Sequence, residues 1–301
     1  MSSIKGKKTS WLDIYKPNAT DIAAIKKKHK FHPLILNELT APSARARVEF
    51  HDDYIFIAHH IPIYDLKLKT SRKAELDFLI RKHLIITVRY EPLEQFDGFL
   101  QDLARDPQLQ KELMAGDSYL LLHRIMEEIM SFSMRQLRHI EEQVEFIAHN
   151  IFKREGKMLE QISRIKRDIL DYRLIVKPHE ELFESLSDAG LGLWGRPSSV
   201  YLNKLVGENL RINQHLENYY QIIESLESTN AQLLGAATNL VIKRFTILAF
   251  LFSIPLFFIF SMSVHHIENL VNTPAKFWGI LIFIFTAVST TVWIFRRNKM
   301  L

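Results

Sequence analysis

The chain has no cysteine among its 301 residues. That excludes a disulfide framework, a thiolate metal site and a cysteine nucleophile. Ten glycines and ten prolines are too few for a collagen-like or low-complexity chain. No phosphate-binding glycine loop, zinc-protease helix or nucleophile elbow is present, so an enzyme is not expected. The most informative shortage is local. Of the 39 Lys and Arg and 34 Asp and Glu, only Glu268, Lys276, Arg296, Arg297 and Lys299 lie beyond Arg244. A mean hydropathy near zero therefore averages a charged body with an apolar tail.

The tail reads as membrane. Phe245–Val264 and Phe277–Phe295 carry no charge, and each has the length a bilayer-spanning helix needs. Lys243 and Arg244 precede the first run, and Arg296, Arg297 and Lys299 follow the second. The positive-inside rule then places both ends in the cytoplasm, with the plasma (inner) membrane crossed twice. Trp278 and Trp293 sit near opposite ends of the second run, as interfacial aromatics do. The first ten residues lack the apolar core of a signal peptide, so the body is expected in the cytosol.

The body has two textures. In the first, Tyr54–Ala58 and Leu84–Val88 are β-branched and aromatic runs of strand length. Asp52 and Asp53 suit a turn, and Ala19–Asp21 suits a helix start. Pro33, Pro42, Pro62 and Pro92 are expected to break the region into pieces. Lys26–Lys28 reads as a solvated helix face, so no nucleic-acid partner is expected. From about Asp117 the pattern becomes helical: Leu121, Ile125, Ile129, Phe132, Leu137 and Ile140 recur at spacings of three to five. Pro178 marks a kink or break, and Leu191–Pro197 a clearer interruption. After Ser198 or Ser199 a helix can run unbroken into the first apolar segment, a stalk of about 100 Å.

The expected fold class is α+β. Residues 1–115 form a cytoplasmic α/β domain and 116–197 a helical region. Residues 198–264 are a stalk helix continuing into the first span, 265–276 an outer loop, and 277–301 the second span with its basic end.

Asn239, Thr246 and Ser253 are spaced by seven, and Ile242 and Ala249 form a parallel row. Heptad spacing holds such residues on one face of a left-handed bundle. A polar stripe on a spanning helix faces a bundle interior or a water-filled path rather than lipid. Two spans cannot enclose a path alone, so the stripe points to a homo-oligomer. The alternative is that Thr246 and Ser253 bond their own helix carbonyls.

Several segments together resemble the CorA family of divalent-cation channels. They are His32–Leu34, Arg47–Phe56, Leu84–Pro92, the Leu121–Ile140 helix and Lys177–Pro178. In the tail they are Asn239-x-x-x-Lys243-x-Phe245-Thr246, similar to that family's N-x-x-x-K-x-L-T entry to the first span, then Pro255 and Phe295–Arg297. The resemblance implies a homopentamer in the lipid bilayer, with long stalk helices and two C-terminal spans per subunit. The transported ion is a divalent cation: magnesium, cobalt, nickel or zinc. No cofactor is implied. It also implies a pore lined by Asn239, Ile242, Phe245, Thr246, Ala249 and Ser253.

The chain departs from that family at two places. Its Y-G-M-N filter at the end of the first span is missing. By residue type the nearest text is Ser261-Met262-Ser263; counting from Asn239 gives Ser263-Val264-His265, and from Pro255 Val264-His265-His266. The outer mouth is therefore expected among Ser261, Met262, Ser263, His265 and Glu268. Serine oxygens could hold a cation's water shell, and imidazoles suit zinc, nickel or cobalt. The second departure is at the stalk's start, where Y-F-R-D-V-x-D-H is replaced by Tyr201-Leu-Asn-Lys204-Leu-Val-Gly207-Glu208. Lys204 stands where the family's cation-sensing acid would be, and could form an ion pair across a subunit interface instead. Two functions remain open: a divalent-cation channel with an altered filter, or a non-conducting membrane-anchored scaffold or sensor.

Overall fold

The computed structural model describes residues 1–153, 158–262 and 273–297. They fall into two compact units. The first holds Met1–Ile151 and Met158–Glu227; the second holds the remaining described residues, from Ser228 onward together with the short segment beginning at Phe152.

The first unit is built on one six-stranded sheet: β1 (Ser2–Lys5), β2 (Ser10–Tyr15), β3 (Arg47–His51), β4 (Tyr54–Asp65), β5 (Thr70–Arg81) and β6 (Leu84–Arg89). Their order across the sheet is β1-β2-β6-β5-β4-β3. Only β2 and β6 run parallel; every other pair is antiparallel. Tyr54–Ala58 are buried without interruption, the mark of a strand covered on both faces. On one face Phe56, Ala58, Leu79, Ile86 and Val88 pack with Ile25, Ile35, Leu36 and Leu39. Ile25 comes from α1 (Ala19–His29), Ile35 and Leu36 from α2 (Pro33–Glu38), and Leu39 is the residue that caps α2. Asn18 caps α1 with a reciprocal bond to Asp21, and Lys26–Lys28 occupy its last turn, where cations suit the helix dipole.

The other face is covered by α5 (Tyr119–Asn150), α6 (Leu159–Val176) and α7 (His179–Trp194), with α3 (Glu94–Arg105) and α4 (Pro107–Met114) beside α5. The run of helices that follows the last strand thus begins at Glu94, earlier than the expected Asp117. Residue 115 lies between α4 and α5 and residue 197 inside a short turn, both within this one packed unit.

Proline behaves differently at each site. Pro33 opens α2, where its missing N–H is an orphan anyway. Pro178 stands between α6 and α7, as expected. Pro62 does not break its region; it lies inside β4, opposite Lys73 of β5. The reason is local. β3 pairs only as far as Ala58, so beyond it one side of β4 has no neighbouring strand and the missing N–H costs no ladder bond.

The interruption expected across Leu191–Pro197 narrows to its end. α7 runs through Trp194, and Gly195 makes the turn at φ 76°, a left-handed conformation that favours glycine. A short 3₁₀ turn, Arg196–Ser198, leads into α8 (Ser199–Met262). Gly190 lets α7 and α8 approach: a Cβ there would stand 2.2 Å from Leu202 Cδ1. Leu202, Leu205, Ile212, Leu216, Tyr219 and Ile223 of α8 are buried at helical spacing. Polar ties fix the helix: Lys204 to Glu127 at 2.5 Å, Arg173 to Glu217 at 2.8 Å and Lys166 to Glu227 at 2.6 Å.

α8 has 64 residues, about 96 Å at 1.5 Å per residue, and continues into the second unit through Pro255. That unit also holds α9 (Pro274–Arg297), which starts three residues before the expected Phe277.

Candidate functional site: an exposed polar stripe on a membrane-spanning helix

Two helices are long and apolar enough to cross a membrane, the C-terminal part of α8 and α9. Their large apolar side chains lie open on the single chain: Phe245 is 68% exposed, Phe252 72%, Phe257 77% and, in α9, Phe285 71%. In water that much uncovered phenylalanine would be untenable; lipid or further subunits must cover it. The threonine hydroxyls in α9 are satisfied within the helix, Thr286 donating to the Phe283 carbonyl, Thr290 to that of Thr286 and Thr291 to that of Ala287. Arg297 lies over the Trp293 ring at 5.3 Å, a cation–aromatic pair at the end of that span.

At about 100° per residue, Asn239, Ile242, Thr246, Ala249 and Ser253 fall within an arc of about 80° on α8. Phe245 lies about 40° beyond the arc's edge, so it flanks the stripe rather than centring it. All six are exposed. Among the described residues the Asn239 side chain has no hydrogen-bond partner, which leaves two donors and one acceptor free.

The two hydroxyls do bond their own helix. Thr246 Oγ1 donates to the Ile242 carbonyl at 2.9 Å and Ser253 Oγ to the Phe250 carbonyl at 2.7 Å. Each oxygen keeps a lone pair, so the stripe presents acceptors, and one amide, to whatever faces it.

Ser261 and Met262 are the last residues of α8. Ser263, His265 and Glu268, with Val264 and His266, lie outside the described residues. Among the described residues no group of three or more His, Asp or Glu side chains converges as a metal site.

At the stalk's start Lys204 has a partner within its own chain, Glu127 of α5 at 2.5 Å. That bond raises the Lys204 pKa. Glu127 also faces His123 at 3.5 Å and Arg124 at 3.7 Å. Glu208 is held by Arg211 at 3.1 Å. Both carboxylates near this point are thus already engaged with cations. The Glu127 tie was not legible in the sequence, because the partners are 77 residues apart.

An α/β unit, a long helix and two helices apolar enough to cross a membrane define the architecture of a membrane protein with a large domain outside the bilayer. The sequence profile of the family described as CorA-like Mg2+ transporter protein matches residues 6–297. The chain belongs to that family, whose members are divalent-cation transporters. It is 21% identical over 272 residues to the cobalt/magnesium transport protein CorA of Thermotoga maritima, covering 90% of this chain and 76% of that one. The CorA magnesium transporter structure from Methanocaldococcus jannaschii shares the fold at a TM-score of 0.80 and 19% identity, over 96% of this chain and 90% of that one. The full-length CmaX structure shares it at 0.76 and 15% identity, over 97% and 88%.

Proposed function

We propose that this chain is a homopentameric divalent-cation channel of the cell membrane, with both termini in the cytoplasm and an outer filter that departs from its family. The observation that carries the reading is the exposed stripe Asn239–Ile242–Thr246–Ala249–Ser253 on a spanning helix. In lipid a free asparagine amide is costly. Around a shared axis it meets water or its own copies.

In this reading a hydrated cation passes a ring of Asn239 amides at the cytoplasmic end, and narrow apolar rings of Ile242 and Phe245 lie one turn further in. Apolar rings gate by dewetting: closed, they hold no continuous water, and a small dilation lets it in. Thr246 and Ser253 then offer hydroxyl oxygens along the span. Magnesium dehydrates reluctantly, so dipoles that grip its water shell are suitable partners. At the outer mouth, Ser261, Met262 and Ser263 would supply hydroxyl and carbonyl oxygens, with Glu268 as the one acid. His265 would favour zinc, nickel or cobalt if copies converged.

The missing Gly-Met-Asn text favours one rival, a non-conducting scaffold or sensor on the same fold. Purified protein in liposomes loaded with a fluorescent divalent indicator separates them. Magnesium or cobalt influx that falls in Asn239→Ala, with the oligomer intact, is expected. No flux above empty liposomes for any divalent cation would favour the scaffold, and a monomer in detergent would refute the pore.

A further inference from the structure

Two apolar features of the first unit have no cover within the chain. One is the tip of the β4–β5 hairpin, where Leu66 is 83% exposed and Leu68 66%. The tip is ordered nonetheless. Asp65 Oδ1 accepts from the amides of Lys67 at 2.8 Å and Leu68 at 3.0 Å, and the Lys69 amide donates to the Asp65 carbonyl at 2.7 Å. Lys69 sits at φ 54°, which an L residue adopts only where its surroundings hold it. Below the tip, Thr70 donates to Asp171, and the Ser71 amide and hydroxyl donate to Asp168 of α6 at 2.6 and 2.7 Å. Two leucines alternating with two lysines are therefore presented on a fixed turn.

The other feature is an open groove of about 880 Å³ at the α6–α7 elbow. Leu170, Leu174 and Pro178 give it an apolar floor; Glu180, Glu181 and Glu184 form an acidic side of its rim, and the cations there are Lys177 and Arg173, the latter tied to Glu217 at 2.8 Å. Leu174 is 75% exposed. Among the described residues none of the three glutamates has an ion-pair partner.

We propose that the Leu66–Lys69 tip of one copy of this chain docks in the α6–α7 groove of the next. Leu66 and Leu68 would cover Leu170 and Leu174, while Lys67 and Lys69 meet the acidic rim. Apolar surface fits apolar surface, and the three glutamates outnumber the cations of the rim, of which Arg173 is already paired with Glu217. The tip does not fill its own chain's groove, because both remain exposed. Each copy offers one tip and one groove, so the contact is heterologous and repeats around a ring. It rests on the homo-oligomer reading above, and supplies that oligomer with a cytosolic contact independent of the spanning helices.

The absence of cysteine makes the test direct. In full-length protein in detergent, Leu68→Cys combined with Leu174→Cys is treated with a short bismaleimide. A denaturing gel should show a ladder from dimer up to the closed ring, while either single variant stays at the monomer band. Adding Glu180→Lys and Glu181→Lys should cut the ladder several-fold, and Lys67→Glu with Lys69→Glu should restore it. Light scattering on the same sample separates the two readings. An intact oligomer without a ladder overturns this contact and leaves the pore standing; a monomer overturns both. Protection of the Leu68→Cys thiol from maleimide only on addition of lipid vesicles would assign the tip to a membrane surface and overturn the contact.

Discussion

His179→Leu should make the protein less sensitive to acid. His59 of β4 and His179 of α7 stack with ring centroids 4.4 Å apart, both buried, against Phe183. His59 Nδ1 and His179 Nε2 have no hydrogen-bond partner. Burial, with His60 close by, pushes the His179 pKa from its ordinary 6.5 down to about 3, and burial beside His179 pushes His59 well below its ordinary value. Above about pH 6.5 the folded and unfolded chains both hold neutral rings. Below it the unfolded chain takes up a proton at His179 that the fold refuses until about pH 3, so stability falls through that window. The loss is about 1.4 kcal/mol per pH unit, or about 2 kcal/mol at pH 5.

Other groups oppose this trend. Burial and the neighbouring Glu75 raise the Asp77 pKa well above the ordinary carboxylate value. Its proton stays on in the fold and leaves in the unfolded chain, which adds stability as the pH falls toward about 4. The total is therefore a poor test, and the difference between wild type and variant isolates His179. Leucine fills a similar volume and brings no buried nitrogen without a partner. With about 2–4 °C per kcal/mol for a unit of this size, wild type should lose about 4–8 °C more than His179→Leu between pH 7.5 and pH 5. Thermal unfolding of the detergent-solubilised chain by circular dichroism measures both. Parallel falls in the two transition temperatures would refute the reasoning.

Replacing the apolar ring with a hydroxyl, Ile242→Ser, should keep the pore wet and raise divalent leak in liposomes several-fold; unchanged leak would remove Ile242 from the gate. Cytosolic magnesium should not protect the full-length protein from protease through the stalk's start. Lys204 would oppose a divalent ion with about 8 kcal/mol at 4 Å and an effective dielectric near 20, and protection abolished by Glu208→Ala would show that a site exists there. Lys204→Ala should cost only about 0.2–1 kcal/mol of thermal stability, because its bond to Glu127 is partly solvated; a loss beyond about 2 kcal/mol would mean that the tie holds the stalk in place.

β4 and β6 were legible because their residues are β-branched, aromatic and buried. β5 was not. Thr70–Arg81 carries Arg72, Lys73, Glu75, Asp77 and Arg81, and nothing in that pattern separates a strand from a charged loop. The charges are tolerated because partners come from elsewhere. Glu75 accepts from the Ser43 amide at 2.7 Å and faces His60, Asp77 accepts from Tyr90 at 2.6 Å, and Arg72 makes two bonds to Glu91. Each partner lies outside β5, His60 on β4 and Ser43, Tyr90 and Glu91 in connecting segments, so the pattern that would reveal β5 is distributed over the fold.

The candidate site divides along the same line. A helix repeats every 3.6 residues, so the stripe from Asn239 to Ser253 could be found from spacing alone, and the backbone places it on one face as expected. Phe245 came from the motif instead, and the helix sets it to the side of the stripe; its ring can reach an axis only from the flank. Spacing also says nothing about a pair such as Lys204 and Glu127, which depends on α5 and α8 lying side by side. Burial shows where the single chain stops. The buried row on α8 is continuous to Ile223, and in the span from Phe245 to Leu256 only Ile247 is buried. Up to about Ile223 the chain's own domain covers one face of the helix, whereas from Phe245 on the apolar side chains are left open to lipid or to other subunits. A lipid-facing surface disfavours uncompensated polar groups, and on the C-terminal part of α8 one arc of about 80° carries Asn239, Thr246 and Ser253 while phenylalanine and leucine occupy most of the rest of the helix from Phe245 to Phe257.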